Sequence, residues 1–146
     1  MSRILSAFTV VLVAAACSSS PPGKAGPASA EASLHAFLQA AADSNVTKMA
    51  EHWGTAKGSA ASTGVPEDYP RRIAIMQLYL KDMSSMVLTN DPVSGVTGQR
   101  MLQVRLTRTN CTRTVPFTMV WTGNEWMVNS FDLEDVGNPS RPCTDS

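Results

Sequence analysis

The chain has 146 residues, 43% of them hydrophobic and 16% charged, with 12 basic and 12 acidic side chains. That size suits one domain with one core, and the balanced charge excludes a dedicated nucleic-acid binder, which carries a marked basic excess. Three cysteines and two histidines without ligand spacing leave no expected metal site, and no other cofactor is implied. Residues 1–16 form a leader: Arg3 is the positive start, 4–13 is an apolar stretch, and Ala14, Ala15 and Ala16 are small. The apolar stretch falls short of the roughly 20 residues a membrane span needs. Residues 18–30, SSSPPGKAGPASA, hold no bulky apolar side chain and cannot offset the entropy of ordering, so they read as a flexible tether.

The placement of Cys17 after small residues resembles the lipobox of bacterial lipoproteins. That resemblance implies cleavage between Ala16 and Cys17 and acylation of Cys17. Several acyl chains anchor stably, since each buried methylene contributes about 0.8 kcal/mol. The expected location is therefore the cell membrane or outer membrane, facing the periplasm or cell exterior. The expected organisation is a signal peptide over 1–16, lipidated Cys17 and tether over 17–30, a domain over 31–136 and a tail over 137–146. With Cys17 acylated, Cys111 and Cys143 remain as an even pair, and an oxidising compartment predicts a disulfide between them.

Residues 29–45 carry Leu34, Phe37, Leu38 and Ala41 at helical spacing and predict an amphipathic helix. Asn45 suits the cap of a second, short helix whose apolar side is Val46, Met49, Ala50 and Trp53, with Gly54 as its stop. The small, polar run 55–69 predicts a loop. A third helix over 70–83 opens on Pro70 and presents Ile73, Met76, Leu80 and Met83, widened by Tyr79.

The period then changes to two. SMVLTND predicts a first strand, and RMLQVRLTRT, RTVPFTMVWT and EWMVNSFDLE predict three more. Pairing Thr122 with Glu125 across Gly123-Asn124 sets Trp121 opposite Trp126 and Met119 opposite Val128. Pairing Thr109 with Thr112 sets Val104 opposite Phe117 and Leu102 opposite Met119. Both registers gather Leu102, Val104, Leu106, Val115, Phe117, Met119, Trp121, Trp126 and Val128 on one face. Pro116, lacking an N–H, predicts a bulge or sharp bend. Arg100, Arg105, Arg108 and Arg113 read as a solvated outer face, with Arg113 near Glu134.

Three helices followed by a curved antiparallel sheet of about four strands predict an α+β fold. The helical stretch ASLHAFLQAAADSNVTKMAEHW and the closing hairpin VWTGNEWMVNSFDLED resemble the nuclear transport factor 2-like superfamily, over roughly residues 29–135. The resemblance implies a cone-shaped domain, with Trp53, Tyr79, Val104, Phe117, Met119, Trp121 and Trp126 as possible pocket lining. Enzymes of that superfamily hold proton-moving groups inside the cone. Here the inner face is apolar, and only Ser130 and Asp132 share its parity, with His52 near the mouth. No catalytic residue is assigned, and no enzyme activity is expected. The expectation is a lipid-anchored, non-catalytic binding or scaffolding domain for an envelope protein or a small apolar ligand. The alternative is an isomerase- or dehydratase-like enzyme using the cone.

Overall fold

The computed structural model describes residues 29–109 and 111–141. The expected signal segment, Cys17, the tether through residue 28 and Cys143 lie outside these described residues. Helix α1 spans Ala30–Ala42, capped by Ser29, whose Oγ accepts the Ala32 N–H at 3.1 Å. Ala30, where the expected tether (17–30) and the expected helix (29–45) overlap, is the first residue of α1 and is 3% exposed. Asn45 caps α2 (Val46–His52) as expected, its Oδ1 accepting the Lys48 N–H at 3.0 Å. Trp53 leaves the helix in an extended conformation before Gly54 is reached, and forms a parallel bridge with Val128.

The expected loop over 55–69 is partly ordered into regular structure. Strands β1 (Gly54–Thr55) and β2 (Gly58–Ser59) pair antiparallel, and a single helical turn α3 (Ala60–Thr63) follows. Ser59 caps that turn, and Gly64 ends it at φ 68°. Elements this short show no periodicity in a sequence, so the small polar residues read as a loop. Helix α4 (Tyr69–Leu80) begins one residue before Pro70 and stops short of Met83. Pro70 still falls in the first turn, where its missing N–H costs no helical bond.

The sheet is an antiparallel meander in the order β3 (Ser84–Pro92), β4 (Gln99–Arg108), β5 (Cys111–Trp121) and β6 (Trp126–Ser130). A one-turn helix α5 (Leu133–Val136) comes after it. Helices α1, α2 and α4 pack on one another, and α1 lies against β6 and β3. The core between these layers includes Leu34, Phe37, Met49, Ile73, Leu80, Leu102, Val104, Phe117 and Met119. Each fully buried side chain of this size contributes about 1.5–3 kcal/mol. The expected α+β class and four-stranded antiparallel sheet are present. The expected three helices correspond to α1, α2 and α4, and the short α3 and α5 bring the described helices to five.

Two register features differ from expectation. Thr107, not Thr109, pairs with Thr112, so Val104 faces Val115 and Leu102 faces Phe117. The offset is two residues, and an even offset leaves every side chain on its face, so the apolar pattern cannot distinguish the two. In β6 the hairpin register holds, with Trp121 opposite Trp126 and Met119 opposite Val128. A bulge between Thr118 and Met119 then pairs Thr118 with Ser130. The inserted residue reverses the facing of the residues beyond it. Ser130 and Asp132 are exposed rather than inward, and the expected strand ends at Ser130 instead of Glu134. Asp132 caps α5, accepting the Glu134 N–H at 2.8 Å. Pro116 is not the bulge: it pairs regularly with Gln103. It also lies beyond the part of β5 that β6 accompanies, so no neighbouring strand on that side needs its N–H.

Candidate functional site

The inner face of the sheet is filled. Val104, Phe117 and Met119 are each 0% exposed and belong to the core cluster with the helices. The buried polar side chains among the described residues are Ser33 and Gln77. Gln77 was not foreseen on the buried stripe of α4. Its Nε2 donates to Ser44 Oγ at 3.0 Å and lies 3.4 Å from the Ala41 carbonyl, tying α4 to the end of α1.

The seven residues expected to line one pocket are therefore divided among several places. Val104, Phe117 and Met119 are core. Tyr79 packs half-buried against that core, and its carbonyl accepts from Arg108 Nη2 at 2.8 Å. Trp121 and Trp126 lie at one end of the sheet, with ring centroids 5.4 Å apart at 54°. They border an open depression of about 450 Å³ together with Pro92, Val96, Gly98 and Arg100.

Trp53 lines a separate groove of about 390 Å³ between α4 and the end of β6. Its apolar wall is Trp53, Ile75, Met76, Phe131 and Leu133. Asn129 and Ser130 supply polar atoms, and Asn129 Nδ2 is engaged with the Gly54 carbonyl at 2.9 Å. At the rim Arg72 and Asp68 form an ion pair at 3.0 Å. Both partners are exposed, so the pair adds little stability and chiefly marks the edge of the apolar surface. Sequence periodicity missed Phe131 and Leu133 as wall residues because both come after the bulge, where the strand's parity no longer applies.

The groove holds a shape and an apolar surface but no acid–base pair. His52, near the end of α2, is half-buried, and that burial holds its imidazole below the usual pKa. It is not among the groove residues, and His35 is exposed. Among the described residues, no three or more of His, Cys, Asp and Glu converge as metal ligands. No described helix is long and apolar enough to cross a membrane. Cys111 is disulfide-bonded, and the expected partner Cys143 is outside the described residues.

The arginines also depart from the expected outer face. Arg100, Arg108 and Arg113 share the parity of the buried Leu102, Leu106 and Val115 and lie where the inner face meets its two ends. Arg100 donates to the Asn90 side chain and carbonyl. Arg105 alone of the four has outward parity and is exposed.

These features define an α+β domain in which helices close an antiparallel meander, with grooves at its margins among the described residues. No protein-family model matches the chain, and no curated protein matches it. Among solved structures, the chain is similar to the crystal structure of an NTF2-like protein of unknown function from Cytophaga hutchinsonii. The identity is 10%, the match covers 73% of this chain and 92% of that one, and the TM-score is 0.42.

Proposed function

We propose that this chain is an exported, lipid-anchored domain of the nuclear transport factor 2-like kind, and that it binds rather than transforms its ligand. Cys17, acylated after cleavage at Ala16, ties the domain to the bacterial envelope through the tether. A disulfide between Cys111 and Cys143 suits that oxidising location. The ligand is an apolar group, carried by a small molecule or by a segment of an envelope protein.

The observation that carries this reading is the filled inner face. The full burial of Val104, Phe117 and Met119 supports a packed inner face rather than a reaction chamber. The apolar groove of Trp53, Ile75, Met76, Phe131 and Leu133 is a concave surface that suits an apolar ligand, and its volume falls in the range of small-molecule sites.

The test has two arms. A neutral apolar dye, N-phenyl-1-naphthylamine, is titrated into the protein. Saturable enhancement that is lost in Ile75→Asp supports the groove; Ile75 is 38% exposed, so the variant keeps the fold. Equal binding by the variant counts against it. In the other arm, Cys17→Ala moves the protein from the membrane to the soluble fraction. A variant that still sediments with membranes removes the anchor from the account.

A further inference from the structure

The end of β4 and β5 away from the Trp121–Trp126 pair carries a second kind of site. Arg108 and Cys111 are pairing partners, and Arg113 lies one position along on the same face. Arg113 stands opposite Leu106, with Arg108 two residues further along β4, and both side chains line a cavity of about 450 Å³. Arg141, Glu134, Val136 and Gly137 supply other parts of its wall. Among the described residues, three cations and one carboxylate line the cavity. No ion pair joins Glu134 to any of them among the described residues.

The arginines are held but not satisfied. Arg108 Nη2 donates to the Tyr79 carbonyl at 2.8 Å. Gly137 packs so closely that a Cβ there would lie 3.0 Å from Arg113 Nε. Yet Arg108 Nε and Arg113 Nε are both buried, and neither has an acceptor among the described residues. A buried donor without an acceptor is costly, so an anion in the cavity that drew either guanidinium toward it would relieve that cost.

We propose that this cavity is an oxyanion receptor for a phosphate group. Guanidinium forks bind phosphate in bidentate fashion. Here they come from β4, β5 and the segment after α5. A tetrahedral phosphate offers oxygen acceptors in several directions, whereas a planar carboxylate does not. The cavity has room for a small substituent on the phosphate. The phosphate belongs either to a free phosphate ester or to an anionic lipid headgroup. This site shares no wall residue with the apolar groove and does not depend on it.

The test is a titration of the full chain carrying Cys17→Ala with inorganic phosphate, monitored through the arginine Nε–H resonances in a proton–nitrogen correlation spectrum. The expected result is saturable shifts at Arg108 and Arg113. Arg113→Gln and the exposed Arg141→Gln each weaken binding, Arg113→Gln by about tenfold, while the outward Arg105→Gln leaves it unchanged. Vesicles of phosphatidylcholine with and without phosphatidylglycerol separate the sources. Retention only on phosphatidylglycerol, lost in Arg113→Gln, assigns a headgroup; phosphate binding without vesicle retention assigns a free ester. Absence of shifts at both arginines, or an equal loss in Arg105→Gln, overturns the proposal.

Discussion

Phe131 stacks on Phe117, with ring centroids 4.6 Å apart at 25°, and meets Phe37 edge-on at 6.2 Å. One ring thus joins β5 to α1 at the point where β6 has ended. It also walls the apolar groove, so it serves packing and site together. Phe131→Ala should lower unfolding stability by about 2–4 kcal/mol, through lost burial and a cavity next to Phe117. Urea unfolding monitored by circular dichroism measures it, and an unchanged midpoint would show that the stack is not a structural joint.

Gly54 is required by close backbone approach. A Cβ at this position would overlap the Gly58 carbonyl oxygen and come 2.8 Å from Ser59 Cα. The β1–β2 ribbon must open to admit it, and the Gly54 carbonyl would shift away from Asn129. Gly54→Ala is expected to cost about 1–3 kcal/mol, the range for overpacking a closed site. A thermal melt indistinguishable from that of the parent protein would disprove the constraint.

His52 makes stability depend on pH. Burial is the main cause of its lowered pKa; Lys48 lowers it further, while Glu51 and Glu125 oppose the shift. In the unfolded chain the group titrates near its ordinary 6.5, so just below that pH the unfolded state binds more protons than the folded one. Stability therefore rises with pH through this window. The His52 contribution is complete above 6.5 and is lost as the pH falls through the folded-state pKa. His52→Gln should flatten this part of the profile in thermal melts collected from pH 5 to 8. A slope unchanged by the substitution would assign it to other groups.

Much of the architecture was legible locally. The stripes of Leu34, Phe37 and Ala41 and of Ile73, Met76 and Leu80 predict buried helix faces, and those residues are buried. Asn45 marks a helix start because a side-chain oxygen there meets an N–H that the helix leaves free. Alternation along β4 and β5 predicts the inner face, since side chains repeat every second residue. The site was less legible. Trp53 lies on the groove, but Val104, Phe117 and Met119 are core, because helix packing decides whether an apolar face is a pocket or a filled interior.

Sequence alone determined which residues are apolar, their helical or strand period, the face they share, and the composition that reads as leader and tether. These properties arise from bond geometry along one segment. Tertiary structure decided the two-residue offset between β4 and β5, the bulge that turns Phe131 inward and Ser130 outward, and the enclosure of Arg108 and Arg113. Each depends on the fit between segments far apart in the chain. An even slip keeps the apolar pattern intact, and one inserted residue reverses it, so the choice rests with the packing of β4, β5, β6, α1 and α5 around a shared core.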